Sequence, residues 1–408
     1  MTKLLIKEYG LWAFITSHAK EQLTSLKSYF PGGWDWIITA AYCRLIHSSC
    51  INHIDFYYQR SFISEDIDLP ALNAEMANLI KILGENKTAI ANYCKPISGE
   101  PPLALLDATA LLSKTEHLSK AATGLATANI FGPIVNLLYF YTTDSLLPVT
   151  YSLFDANKRD IDIISTTIQQ TGYKSAIIMA DKTLYNKQHL KQLEEQVLQF
   201  IIPLERESEL INYGLVEKMS RSTKDYFFYE NQLIHFSHYK TADGQNIHLF
   251  LDEYTMVKEK AHYFHMDKKS PQEITDIAYQ QKILKLGTFA LISNVDMTSE
   301  ELFLRHKSRL VIEALFKGTA EALANDRAFI DSEAAVNGWL LINHIAVQIR
   351  HKIYTLLKEQ NLLATYSIAD TISLLSNIRK VKINGTWQLE PIIDSQKKLI
   401  KTLGLTIV

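Results

Sequence analysis

The stretch Leu103–Leu112, Leu-Ala-Leu-Leu-Asp-Ala-Thr-Ala-Leu-Leu, places one carboxylate, Asp107, inside an otherwise apolar run. A short apolar run of this kind predicts a buried β-strand. Burying an unpaired carboxylate costs several kcal/mol, so Asp107 either has a strong partner or serves chemistry. A hydrogen-bonded strand aspartate is the plain structural interpretation, and it stays open at this point.

Further apolar runs on both sides of turn residues predict a mixed sheet flanked by helices, which is an α/β fold. The predicted elements are strands at 134–142 and 148–154, a helix at 160–171, a strand at 175–180, a helix at 187–198 and a strand at 199–204. Asp181 directly follows the strand at 175–180. Because residues at the carboxyl end of a strand in an α/β sheet usually contact ligands, Asp181 is a second candidate, with a helix cap as the alternative.

Changes of pattern along the chain predict five segments. The predicted segments are a helical N-terminal domain at 1–98, the first part of the α/β domain at 99–205, an inserted β-rich and helical subdomain at 206–285, the rest of the α/β domain at 286–330, and C-terminal helices at 331–408. The boundary near residue 98 contains several prolines, and Asp243-Gly244 predicts a hairpin turn inside the insertion.

A helix is predicted from Thr298 or Ser299 through the stretch Arg305–Glu321, RHKSRLVIEALFKGTAE. One stripe of this helix steps by four residues and is charged. The stripe consists of Arg305, Arg309, Glu313, Lys317 and Glu321. A solvated amphipathic helix explains the stripe by itself, since each such pair adds about 0.2–0.5 kcal/mol. Asp107 and Asp181 change this interpretation, because together with Glu313 they form an Asp–Asp–Glu set.

The composition excludes several classes of protein. The chain has 408 residues, 42 Lys and Arg against 44 Asp and Glu, and a formal charge of −2, so no global basic surplus indicates nucleic acid. Three scattered cysteines argue against a disulfide framework or a zinc site and fit a reducing cytosol. We expect no secretory signal and no membrane span, because the apolar runs are short and interrupted by charges.

Four stretches resemble the DDE transposases of bacterial insertion sequences, and specifically the group that excises through hairpin ends. These stretches are ALLDATALL, IIMADKTLYNKQHLKQLEEQVLQFIIPLER, GTFALISNVDMTSEELFLRHKSRLVIEALFK and GWLLINHIAVQI. The family signature around its glutamate is Tyr, Arg, Glu and Lys at fixed spacing. Arg309 and Glu313 match it, whereas His306 stands in place of the tyrosine and Ala320 in place of the lysine.

The resemblance implies a ribonuclease-H-like catalytic domain in which Asp107, Asp181 and Glu313 bind two Mg²⁺ or Mn²⁺ ions. It also implies a cut-and-paste enzyme of the bacterial cytosol that binds terminal inverted repeats and target DNA as a homodimer. The side chains expected to contact DNA are Arg309, His306, Lys317, Arg305 and Lys182.

Two alternatives remain open. The chain could be a catalytically silent DNA-binding relic, because His306 and Ala320 depart from the signature. It could also be a ribonuclease-H-like nuclease that performs no strand transfer.

Overall fold

The computed structural model describes residues 5–47, 51–70, 72–94, 102–112, 122–123, 133–155, 168, 176–180, 182, 185–267, 282–316, 326 and 329–407. For residues 102–138, 153–155, 180 and 266–267 the description is limited to the backbone of the strands and helices that contain them. The predicted helix at 160–171 lies outside the described residues except for Ile168.

Along the described part of the chain, helices predominate before residue 94 and after residue 333, and strands and helices are mixed between them. The helices are α1 (Gly10–His18), α2 (Lys20–Tyr29), α3 (Trp34–Ile46), α4 (Ile54–Arg60), α5 (Ile63–Asp66), α6 (Met76–Glu85), α7 (Lys87–Tyr93), α8 (Lys187–Glu195), α9 (Val216–Met219), α10 (Glu253–Asp267), α11 (Ser299–Phe316), α12 (Glu333–Glu359), α13 (Ile368–Ser376) and α14 (Asp394–Thr402). The strands are β1 (Leu5–Glu8), β2 (Pro102–Leu112), β3 (Ala122–Thr123), β4 (Pro133–Thr142), β5 (Pro148–Asp155), β6 (Ile177–Ala180), β7 (Gln199–Pro203), β8 (Tyr226–Tyr229), β9 (Gln232–Lys240), β10 (Asn246–Asp252), β11 (Thr288–Ser293), β12 (Arg379–Ile383) and β13 (Thr386–Leu389).

The chain forms two compact units. The first unit contains Met1–Glu100, Ala108–Arg159 and Leu310–Val408, and the second contains Pro101–Asp107 and Asp160–Arg309. The predicted N-terminal and C-terminal helical segments therefore fall in the same unit. Whether residues 1–98 act as a separate recognition domain stays a prediction.

The second unit is built on a sheet with the strand order β2, β6, β7, β11, β10, β9, β8. The pairs β2–β6 and β6–β7 are parallel, and the remaining pairs are antiparallel. Strands β8, β9 and β10 come from the predicted insertion at 206–285, and they extend the same sheet through β11. The predicted turn at Asp243-Gly244 is observed, with Gly244 at a φ of +82°.

In the first unit, β4 pairs antiparallel with β5, as predicted. The long helix α12 is buried along most of its length and crosses α6 at two glycines. A Cβ atom on Gly338 would lie 2.0 Å from the carbonyl oxygen of Ile80, and one on Gly84 would lie 1.7 Å from that of Ala334. Because no side chain fits between these backbones, the crossing requires glycine on both helices.

Buried polar side chains connect distant segments of the first unit. Arg44 on α3 forms a buried ion pair with Asp326, and the indole N–H of Trp339 donates to the Asp326 Oδ2 atom at 2.9 Å. Burial raises the pKa of Asp326, although the guanidinium of Arg44 opposes that shift. Removing one partner of a buried pair leaves an uncompensated charge, so this contact restricts how the segments can pack.

A small antiparallel sheet joins the two ends of the chain in the order β1, β12, β13. Neither β1 nor the β12–β13 hairpin was predicted, since C-terminal helices were expected for residues 331–408. Within the described part of the chain, no helix is both long and apolar enough to cross a membrane.

We expect Gly338→Ala to destabilise the first unit by about 2 kcal/mol, because overpacking a tight contact costs about 1–3 kcal/mol. Alanine is intrinsically favoured over glycine in a helix by about 1 kcal/mol, so a net loss would show that the clash dominates. Denaturant unfolding followed by circular dichroism measures the effect. Gly32→Ala is the matched control, since no atom lies within 4 Å of the added Cβ; equal stability of the two variants would contradict the tight crossing.

Candidate DNA-processing site

The parallel ladder between β2 and β6 ends next to the two candidate aspartates in the sequence. Its paired residues run from Leu103 and Ile177 to Leu106 and Ala180. The next residue along β2 is Asp107, whose backbone continues the strand. The residue after Ala180 is Asp181, which lies outside the described residues. In the sequence, each aspartate therefore directly follows one member of the last pair of the ladder.

Helix α11 carries Glu313 and begins with a reciprocal cap, as the sequence predicts. The Glu301 amide donates to the Thr298 hydroxyl at 3.2 Å, and the Thr298 amide donates to the Glu301 carboxylate at 2.8 Å. These hydrogen bonds satisfy amide groups that an α-helix leaves without partners at its start.

Aromatic rings hold the first half of α11 against the sheet of the second unit. Phe303 is buried, and its ring centroid lies 5.0 Å from Phe227, 5.3 Å from Phe250 and 5.4 Å from Phe289. Leu302 is also buried, whereas Leu304 is 44% exposed. The buried face of α11 at this end therefore includes Leu302 and Phe303.

The charged stripe is present on α11 as far as the structure describes it. Arg305 and Arg309 are half-buried, and Glu313 is exposed. Arg309 belongs to the second unit and Glu313 to the first. Lys317, the next member of the stripe, lies outside the described residues, as does Ala320.

His306 has surroundings that the sequence did not reveal. Its ring stacks on Phe289 with a centroid distance of 5.7 Å and an interplanar angle of 28°. Burial, helped by the neighbouring cations Lys307 and Arg309, lowers the pKa of His306 to about 4. The side chain is therefore neutral at pH 7 and offers no positive charge to a phosphate.

A comparison of the sequence with models of known protein families identifies the family of this chain. The model of the family described as "Transposase DDE domain" matches residues 100–349, which is more than half of the chain. The chain belongs to the DDE transposase family. Membership implies an enzyme that cleaves and transfers DNA strands, and DDE transposases generally use divalent metal ions.

Among solved structures, the chain is similar to a cryo-electron microscopy structure of a piggyBac transposase synaptic complex with hairpin DNA. The TM-score is 0.36 at 8% sequence identity, and the match covers 90% of this chain and 79% of that chain. A comparison with curated protein sequences gives no match.

The described side chains of this DDE transposase contain no group of three or more His, Cys, Asp or Glu residues that could hold a metal ion. Of the three carboxylates in the predicted set, Glu313 is the one whose side chain the structure describes. The set therefore stays a prediction. Its ligand type suits the expected metals, because carboxylate oxygens are the ligands that Mg²⁺ and Mn²⁺ prefer.

Two lysines near the predicted site have contacts within the second unit. Lys182, predicted to contact DNA, forms an exposed ion pair with Glu205 at 3.4 Å. Lys307, which was not among the residues expected to contact DNA, lies over the rings of Phe303, Phe289 and Tyr229 at 5.2, 5.5 and 5.9 Å. The run of four aromatic residues on β8 was the signal available in the sequence, but it did not indicate which cation would lie over these rings.

The environment of His306 predicts a pH dependence of stability. The pKa of His306 in the folded protein lies below the ordinary value of 6.5. The neutral imidazole therefore contributes fully to the free energy of unfolding above pH 6.5, and this contribution is lost as the pH falls towards 4. Each unit of pKa difference corresponds to about 1.4 kcal/mol. His306→Phe retains a ring on Phe289, and we expect it to reduce the acid sensitivity of unfolding measured between pH 7 and pH 4.

The exposed His265, on α10, provides the control for this prediction. We expect His265→Phe to leave the pH profile unchanged. A titration of His306 by nuclear magnetic resonance with a midpoint at 6.5 would contradict the buried, stacked environment.

Proposed function

We propose that the chain is a transposase that binds the terminal inverted repeats of an insertion sequence and transfers strands through hairpin ends. The observation that carries this proposal is the register of β2 and β6, which ends directly before Asp107 and Asp181. Neighbouring strands lie about 4.8 Å apart. A register continued by one residue would bring both carboxylates to one end of the sheet.

Glu313 is the third member of the proposed carboxylate set. Three converging carboxylates repel one another by about 4 kcal/mol per close pair at an effective dielectric constant of about 20. The set would therefore hold two Mg²⁺ or Mn²⁺ ions, which when bound supply an activated water and neutralise the leaving oxygen of a phosphodiester.

The basic side chains around the set would position DNA. Arg309 lies one helical turn before Glu313, where its planar guanidinium suits the geometry of the scissile phosphate. Arg305, Lys317 and Lys182 would neutralise phosphates farther along the strand. With the phosphate held in this way, a freed 3′-hydroxyl can attack a phosphodiester of the opposite strand. The new bond forms the hairpin, and the flanking DNA leaves with a 3′-hydroxyl. Water would then reopen the hairpin, and the resulting 3′-hydroxyl would attack a target phosphodiester and release a 3′-hydroxyl of the target.

Other segments would complete the transposase. The three parallel strands β2, β6 and β7 and the antiparallel pair β4–β5 support a ribonuclease-H-like domain. The segment 206–285 occupies the place in the chain where hairpin-forming relatives carry β-strand insertions. Residues 1–98 would read the terminal repeats, and a homodimer would hold two DNA ends.

A second candidate function is a silent DNA-binding relic, which the surroundings of His306 favour. A neutral, stacked imidazole and the alanine at position 320 would both weaken binding to the phosphates near the cleaved end. A Mg²⁺-dependent nicking assay on DNA that carries the sequences flanking the gene separates the two functions. Binding without nicking by the wild type would establish the relic.

We expect Asp107→Asn, Asp181→Asn and Glu313→Gln each to lower the nicking rate by at least about 10²-fold, the typical loss when a preorganised electrostatic group is removed. Binding of the same DNA, measured by fluorescence anisotropy, should change little, because phosphate contacts by basic residues supply most of the affinity.

Asp296→Asn and Glu300→Gln are matched controls, since both residues are exposed and immediately precede or begin α11. These two variants should nick DNA at the wild-type rate. Wild-type activity in any one of the three site variants would remove that residue from the metal-binding set.

We expect Ala320→Lys to restore a phosphate contact that the family signature includes. DNA binding should tighten, and the slope of log affinity against log salt concentration should steepen by about 0.9 for one added contact. Glu300→Gln raises the net charge by the same one unit on the exposed first turn of α11 and controls for a general electrostatic effect. An equal slope for both variants would contradict a specific role for position 320.

A further inference from the structure

Strand β8 is the last strand of the sheet in the second unit. Within the described residues it pairs with β9 alone. Phe227 is buried, whereas Tyr226 is 43% and Phe228 is 67% exposed. Natural proteins usually protect an edge strand with charges, proline or a covering segment, so aromatic side chains on an open edge indicate a binding surface.

The hairpin geometry identifies which backbone groups of β8 point outwards. Two residues, Glu230 and Asn231, connect β8 to β9, and both have positive φ angles of 49° and 62°. Hydrogen-bonded and non-hydrogen-bonded pairs alternate along such a hairpin. The Phe236 amide donates to the Asp225 carbonyl oxygen at 3.0 Å, so Asp225 belongs to the bonded set.

Phe227 and Tyr229 follow Asp225 at intervals of two and therefore also direct their N–H and C=O groups towards β9. Tyr226 and Phe228 belong to the alternate set, and their N–H and C=O groups point away from β9. The two residues with exposed side chains are thus also the two with outward backbone donors and acceptors.

We propose that β8 pairs antiparallel with β8 of a second copy of this chain, with the two-fold axis at Phe227. In this register, Tyr226 of each copy lies opposite Phe228 of the other. Each of these pairs exchanges two backbone hydrogen bonds, because both members have outward groups. The interface is isologous and closes after two copies.

The side chains complement one another in the same register. Each Tyr226 ring lies beside the Phe228 ring of the second copy, an aromatic cross-strand pair that favours sheet pairing. Beyond the two ends of the strand, the same register brings Lys224, in the bend before β8, towards Glu230, in the hairpin turn of the second copy, and both side chains are exposed. When β8 of one copy pairs with β8 of another, opposite charges and aromatic rings come together. This complementarity favours a second copy over an unrelated partner.

Neighbouring apolar surface is available for the second copy to cover. His235 lies opposite Tyr226 on the same face of the sheet, and its Nε2 atom lies 3.2 Å from the carboxylate of Glu253, the first residue of α10. On α10, Tyr254 is 52% and Val257 is 61% exposed. The contact can therefore extend beyond the strand itself.

This interface supplies a surface for the self-association included in the proposed function. It requires neither metal nor DNA, so a test on the DNA-free protein separates its failure from a failure of the catalytic proposal, which the nicking assay detects.

Analytical ultracentrifugation of the full DNA-free chain over a series of concentrations tests the interface. We expect the wild type to dimerise and Phe228→Glu to raise the dissociation constant about tenfold or more, because charge replaces both aromatic cross-strand pairs. Val197→Glu is the control, since Val197 is 88% exposed in the same unit. An unchanged circular dichroism spectrum establishes that Phe228→Glu folds.

A charge reversal tests the register. Lys224→Glu places like charges opposite Glu230 twice and should weaken the dimer, and adding Glu230→Lys should restore it. A wild type that stays monomeric at all concentrations, a dimer insensitive to Phe228→Glu, or a double reversal that fails to restore dimerisation would overturn the proposal.

Discussion

The parallel pairing of β2 with β6 is the constraint on which the proposed chemistry depends. Side chains alternate along a strand, so a slip of one residue would move every side chain of β2 to the opposite face. The pairs from Leu103–Ile177 to Leu106–Ala180 fix the register. On β6, the residues of this register whose side chains are described, Ile177, Ile178 and Met179, are buried, so burial supports the register.

The placement of Glu313 depends on aromatic packing at both ends of α11. Phe303 packs among rings of the second unit, and Phe316 contacts Tyr139 of the first unit edge-to-face at a centroid distance of 4.5 Å. Aromatic pairs of this kind contribute about 0.5–1.5 kcal/mol beyond their area. Glu313 itself is exposed, and Arg305 and Arg309, which precede it on the charged stripe, are half-buried.

Local patterns in the sequence predicted most elements that have an apolar face. The strands at 134–142 and 148–154 and the cap at Thr298 are observed as predicted. The sequence of strand β12, RKVKI, alternates charged and apolar residues as a strand does, but the run is only five residues long and its neighbour β1 comes from the other end of the chain, so it was missed. Lys380 becomes acceptable there because it lies over the rings of Tyr9 and Phe62, at 3.8 and 4.9 Å, contacts that no local pattern contains.

In the candidate site too, contacts between distant segments could not be predicted from local sequence. The carboxylates could be identified from their apolar settings and from a family signature, whereas the stacking of His306 on Phe289 could not, since the two residues meet only in the folded sheet. Hydroxyl-radical cleavage of the polypeptide by Fe²⁺ substituted for Mg²⁺ tests the central claim most directly. We expect cuts near Asp107, Asp181 and Glu313 together, all suppressed by excess Mg²⁺. Cuts confined to one of these segments, or their persistence in Asp107→Asn, would contradict a shared metal site.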